Sequence, residues 1–154
     1  MATMTLTSSS FAHGQPIPLR HTADGVNVSP PLEWAGVPAG TKSFALICDD
    51  PDAPRKVWVH WVLYALPPTL AALPEGVPTD PVLPDGSRQG TNDFGTTGYG
   101  GPAPPKGNPH RYFFKLYALD AEPTLPPRAS KADLLAAMGT VLAEAELMGT
   151  YQRG

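Results

Sequence analysis

Asp49-Asp50-Pro51-Asp52-Ala53-Pro54-Arg55-Lys56-Val57-Trp58-Val59-His60 is an acidic, proline-broken stretch set between two apolar runs. Ser-Phe-Ala-Leu-Ile-Cys (43–48) precedes it and Trp-Val-Leu-Tyr-Ala-Leu (61–66) follows it. Apolar runs this short, bounded by turn residues, read as buried strands. Three carboxylates are therefore expected at the rim of a core. Val57 to Leu66 is the longest strand candidate in the chain. Alternation predicts Val57, Val59, Trp61 and Leu63 on one face, with Trp58, His60, Val62 and Tyr64 on the other. Both sets are mostly apolar, so His60 belongs inside the core or at its mouth.

Around this stretch the chain reads as mainly β. The 154 residues suit one domain, 1–154, large enough to bury a substantial core. The 20 prolines and 15 glycines alternate with clean apolar runs, which points to turns in a loop-rich β protein rather than to disorder. Residues 4 to 11 suggest an edge strand, and 17 to 19 a short one. Arg111 to Leu119 predicts another strand, with Tyr112, Phe114, Leu116 and Ala118 on one parity. Residues 67 to 84 are mostly proline-rich loop, with room for a helical turn at 69–73. Residues 86 to 107 form a glycine-rich loop whose Phe94 and Tyr99 argue for order. Ser130 and Asp133 fit a capping box. Leu134, Leu135, Met138, Val141, Leu142 and Ala145 then recur at helical spacing, with Gly149 as the stop.

A net charge of −3 gives no basic footprint, so nucleic acid is not an expected partner. One cysteine, Cys48, excludes an internal disulfide. The first ten residues lack the pattern of a signal peptide, and no run reaches membrane-spanning length, so the expected location is the cytoplasm.

Two histidines carry the chemical interest. His60 lies in one apolar strand, and His110 opens another as His110-Arg111-Tyr112. Each alone also reads as a core histidine. As a pair near turn-rich loops they read as one anion pocket, because imidazoles gain charge when an anion arrives. Tyr112 shares a face with His110 and can add a phenol donor. Asp50, and Asp52 beside it, could orient the imidazoles or receive a ligand's ammonium group, although Asp-Pro-Asp-Ala-Pro is also plain turn chemistry. Glycines 95 to 101 could offer a nest of backbone amides. A metal triad of two histidines and a carboxylate competes with this reading, but no close ligand spacing supports it. No Gly-x-Ser-x-Gly elbow and no phosphate loop is present. The sequence thus nominates no catalytic residue, no metal ligand and no cofactor.

These motifs occur in a recognisable order: Asp50-Pro51-Asp52-Ala53-Pro54, His60-Trp61, Gly100-Gly101-Pro102, Pro104-Pro105-Lys106-Gly107 and His110-Arg111-Tyr112. Ser29-Pro30-Pro31-Leu32, Asn92-Asp93-Phe94-Gly95 and Gly149-Thr150-Tyr151 extend the pattern over nearly the whole chain. The set resembles the phosphatidylethanolamine-binding protein family, which includes the Raf kinase inhibitor proteins, and within it the short bacterial and archaeal branch. The resemblance implies an antiparallel β-sandwich with long Pro/Gly-rich loops and a C-terminal α-helix. It implies an anion pocket lined by Asp50, His60, His110 and Tyr112. A Gly-Pro step, at Gly101-Pro102 or displaced to Ala103-Pro104, would contribute too. It further implies a non-catalytic binder of phosphate-bearing small molecules or lipid headgroups, such as phosphoethanolamine or a nucleotide phosphate, that acts as a kinase or protease inhibitor. A homodimer is left open. The rival readings are a phosphoester or ester hydrolase using the histidine pair, and a structural module with no ligand.

Overall fold

The computed structural model describes residues 3–153. Eight strands follow one another among them. β1 is Thr5–Thr7, β2 Leu32–Ala35, β3 Ser43–Asp50, β4 Trp58–Leu66, β5 Ala72–Leu73, β6 Arg88–Gln89, β7 His110–Leu119 and β8 Val141–Tyr151. One α-helix, α1, spans Lys131–Ala137. The strands form two antiparallel sheets, ordered β1-β2-β5 and β6-β4-β3-β7-β8.

β3 runs through the middle of the larger sheet and is buried at every position. Its two parities serve two different cores, which is why the stretch reads as apolar throughout. Phe44, Leu46 and Cys48 face the small sheet and pack with Leu6, Trp34 and Leu73. Ala45 and Ile47 face the opposite way, toward Leu134 and Met138 at the helix. Burying a side chain such as Leu134 contributes about 1.5–3 kcal/mol.

The alternation expected along β4 breaks at His60. Cys48 pairs with Trp61, yet Asp49 pairs with Val59, so His60 is the extra residue of a β-bulge. Val59 consequently joins Val62 and Tyr64 on the helix side, while Trp61 and Leu63 face the sandwich core. The bulge turns the His60 ring to the sandwich side, where its centroid lies 5.1 Å from that of Tyr112.

The C-terminal helix is much shorter than its periodicity implies. The capping box forms as expected: Asp133 N–H donates to Ser130 Oγ at 3.1 Å, and Ser130 N–H donates to Asp133 Oδ2 at 3.3 Å. The helix then stops at Ala137, and Gly139 follows with φ +64°, a left-handed conformation that favours glycine. Val141 to Tyr151, expected as helix and stop, is instead β8. It pairs with β7 along nearly its full length, and Gly149 sits opposite Tyr112. Satisfying the backbone groups of a ten-residue strand outweighs the local helical spacing. Smaller expectations shift too. The edge strand narrows to β1. Leu19–His21 is a 3₁₀ turn rather than strand, with Pro16 bridging Thr150. The turn expected near 69–73 ends in β5.

Candidate anion site

Three chain segments meet at one end of the large sheet: the end of β3, the bulge of β4 and the start of β7. The parity of β3 separates its two terminal acids. Asp49 turns to the helix side, where Lys131 Nζ lies at 2.7 Å and Lys115 Nζ at 3.5 Å. Asp50 turns to the sandwich side and is 3% exposed. Its Oδ2 accepts His110 Nδ1–H at 2.7 Å, and its Oδ1 accepts the Asp52 backbone N–H at 2.7 Å.

His60 is fixed in the same manner by a carbonyl. Its Nδ1–H donates to Gly100 O at 2.6 Å, and Gly100 N–H donates back to His60 O at 2.9 Å. A carbonyl only accepts, so the proton sits on Nδ1 and the ring nitrogen left free is Nε2. Burial pushes the His60 imidazole below the ordinary 6.5, with the Gly100 carbonyl and then Asp50 opposing the shift. The imidazole is therefore neutral near pH 7. Tyr112, two residues along β7 from His110, is 1% exposed. Its hydroxyl has no hydrogen-bond partner among the described residues. Burial, then the Asp50 carboxylate, raises the Tyr112 phenol well above its usual range, so it stays a donor.

Asp50, His60, His110 and Tyr112 thus come together at a cavity of about 170 Å³. The rest of its lining is apolar: Ala53 and Pro54 from the acidic loop, Trp58 from β4, Phe94, and Ala103-Pro104-Pro105. The loop carrying Phe94 is built around the Asn92 side chain. Asn92 Oδ1 accepts from Phe94 N–H and Thr96 N–H, and Nδ2 donates to Gly98 O. The Phe94 ring lies edge-on to Trp58 at 5.5 Å and to His60 at 5.4 Å, and is 42% exposed. It lies so close to Gly100 that a Cβ there would fall 2.6 Å from the ring.

The other nominated residues stand outside the lining. Asp52 forms a bidentate pair with Arg111, at 2.9 Å for each oxygen. That pairing lowers the Asp52 carboxyl below its ordinary range. Gly101 and Pro102 lie behind the wall: Gly101 N–H donates to Asn27 Oδ1, and Pro102 O accepts from Ala23 N–H. The glycine amides considered as a nest are engaged as well, Gly95 with Asn92 O, Gly98 with Gly90 O and Gly100 with His60 O. The displaced step, Ala103-Pro104, is the one that faces the cavity. It is braced from behind by Arg153, whose Nη1 donates to Pro104 O at 3.2 Å while its Nη2 holds Asp24 at 2.7 Å.

Trp58, Phe94 and Pro105 were not nominated from the sequence. An aromatic residue inside a glycine-rich loop was the available signal for Phe94. Among the described residues, no group of three His, Cys, Asp or Glu side chains converges in a way that could hold a metal. No described helix is long and apolar enough to cross a membrane.

The profile of a family described as phosphatidylethanolamine-binding protein matches residues 7–152. A protein of Methanothermobacter thermautotrophicus, named only UPF0098 protein, is 59% identical over 98% of this chain and 100% of its own length. Two crystal structures share the fold over full length. CT736 of Chlamydia trachomatis, described as a homologue of that family, has a TM-score of 0.90 at 41% identity, covering 100% of each chain. YbcL of Escherichia coli, described as a member of the mammalian family, has a TM-score of 0.92 at 38% identity, covering 99% of this chain and 100% of its own.

Proposed function

Because the chain belongs to the phosphatidylethanolamine-binding protein family, we propose that it is a non-catalytic binding protein whose cavity takes the phosphate end of a small molecule or headgroup. The observation that carries this reading is the Tyr112 hydroxyl, a buried donor with no partner among the described residues, beside the free Nε2 of His60. A buried polar group without a partner costs about 1–3 kcal/mol, and an oxyanion would satisfy it. His110 adds a second imidazole, whose Nδ1–H is fixed by Asp50 at 2.7 Å. Anion binding would be accompanied by proton uptake at His60, because the neutral ring offers only a lone pair at Nε2.

Among the described residues, no serine, threonine or cysteine lines the cavity, which favours binding over covalent turnover of an ester.

The test is an NMR titration of the histidine rings with inorganic phosphate. His60 and His110 should shift along one saturation curve, with His60's apparent pKa rising. His60→Ala and His110→Ala should each weaken phosphate binding by about tenfold, the loss of one charge-assisted hydrogen bond, while the variants remain folded. Rings unmoved at millimolar phosphate would sink the proposal.

A further inference from the structure

One wall of the cavity, Ala103-Pro104-Pro105, belongs to a segment that cannot hold itself in place. Pro102, Pro104 and Pro105 carry no backbone N–H with which to join a sheet. Among the described residues, the backbone bonds of 101–107 run to two supports. One is the loop 22–27: Gly101 N–H donates to Asn27 Oδ1 at 2.8 Å, and Pro102 O accepts Ala23 N–H at 2.9 Å. A Cβ on Gly101 would fall 2.3 Å from His21 O, so the two backbones touch there. The other support is the chain just after β8. Arg153 Nη1 donates to Pro104 O at 3.2 Å, Gly107 N–H donates to Arg153 O at 3.3 Å, and Gln152 Nε2 donates to Gly107 O at 2.7 Å.

Asp24 joins these two supports. Its carboxylate accepts from Arg153 Nε at 2.9 Å, from Arg153 Nη2 at 2.7 Å and from the Tyr151 hydroxyl at 2.6 Å. The Asp24 and Arg153 side chains are each 33% exposed, and neither lines the cavity. Ion pairs this exposed add only modestly to stability. What the guanidinium supplies is geometry, because one rigid fork binds a carboxylate along one edge and the Pro104 carbonyl with its remaining nitrogen. Tyr151 is also the register partner of His110 across β7 and β8. The clamp on the wall is thus continuous with the strand pair that carries the second imidazole.

Resting on the anion-pocket reading above, we infer that Arg153 is a positioning residue for the pocket: clamped by Asp24 and Tyr151, it holds the Pro104-Pro105 wall where the cavity closes on an anion. Without the fork the wall spends part of its time elsewhere, and the apparent affinity falls to the fraction of time it is in place.

Calorimetric titration with inorganic phosphate at neutral pH tests this with two substitutions. Asp24→Asn removes a negative charge and leaves the arginine. Charge acting through space would tighten anion binding in that variant, whereas loss of the clamp should weaken it about fivefold. Arg153→Lys keeps the positive charge but puts a compact ammonium where the fork spanned the carboxylate and the Pro104 carbonyl. It too should bind phosphate about fivefold more weakly, and thermal melts should show both variants folded. Unchanged or tighter binding in Asp24→Asn, or full affinity in Arg153→Lys, overturns this inference alone, because phosphate would still bind the unsubstituted protein and shift both histidine rings. If the unsubstituted protein binds no phosphate, the pocket reading falls and this inference with it.

Discussion

The Tyr112 hydroxyl is held where removing it should cost the fold nothing. It lies at the cavity floor with no partner among the described residues, while its ring packs with Phe114 and Leu116 in the sandwich core. A phenylalanine keeps that packing and deletes only the unpaired donor. Tyr112→Phe should leave the melting temperature unchanged or raise stability by up to about 1 kcal/mol, and should weaken phosphate binding roughly tenfold. Thermal melts beside calorimetry decide the matter. A destabilised variant with unaltered affinity would mean that the hydroxyl serves the fold. At this scale the sequence was informative in part. Asp50, His60, His110 and Tyr112 could be nominated from the order of the motifs, and Tyr112 also from sharing a strand face with His110, whereas strand parity alone set His60 on the wrong face. Phe94 and Pro105 could not, because their place at the mouth depends on how two glycine- and proline-rich loops cross, and no periodicity encodes that. Asp49 and Asp50 are neighbours of the same type. Only the sheet face each one points to makes one an ion-pair anchor for Lys131 and the other the partner of His110.

Elements α1 and β8 show how local signals are overruled. The residues from Leu134 to Ala145 carry helical spacing, and the capping box starts the helix as the sequence indicates. The spacing cannot reveal that β7 needs a long antiparallel partner, and that need ends the helix at Ala137. The turning point is Gly139, whose φ of +64° a residue with a Cβ adopts at a cost of about 1 kcal/mol. Gly139→Ala should therefore destabilise the protein by about 1 kcal/mol in urea unfolding, as should Ser130→Ala through loss of its cap. Neither should change phosphate affinity, because α1 packs on the face of the large sheet away from the cavity. A Gly139→Ala protein of undiminished stability would show that the α1–β8 junction tolerates a longer helix. The β-bulge at His60 is the converse case. Alternation along β4 correctly implied an inward strand, but the bulge's extra residue changed which side chains share a face. His60 reaches Tyr112 because of that irregularity.

Acidification is where the molecule's internal charges act together. His21 and His60 are both buried, and burial lowers both imidazoles below 6.5. His21 bonds Val28 O at 3.0 Å and Ser10 Oγ at 3.1 Å, so it too is held between fixed partners. Between 6.5 and those lowered values the unfolded chain binds more protons than the folded one. Stability therefore rises with pH across that window and is lost as pH falls through it. A second loss comes from carboxylates. Asp24, held at about 2 by Arg153 and Tyr151, and the lowered Asp52 stabilise the fold above 3.8, and that contribution disappears as pH drops toward 2. The melting temperature should thus decline in two steps, the first beginning near 6.5. An anion acts oppositely on the first step, because it binds the protonated form of His60. The shift in melting temperature produced by phenyl sulfate, whose charge is constant in this range, should grow as the buffer is taken from about pH 8 to about pH 5.5. In His60→Gln, which can still donate to the Gly100 carbonyl, that growth should vanish and the first acid step should shrink to the part belonging to His21. A ligand-induced shift that stays constant with pH would show that anion binding takes up no proton at His60. The cavity would then hold its anion through Tyr112 and His110 alone.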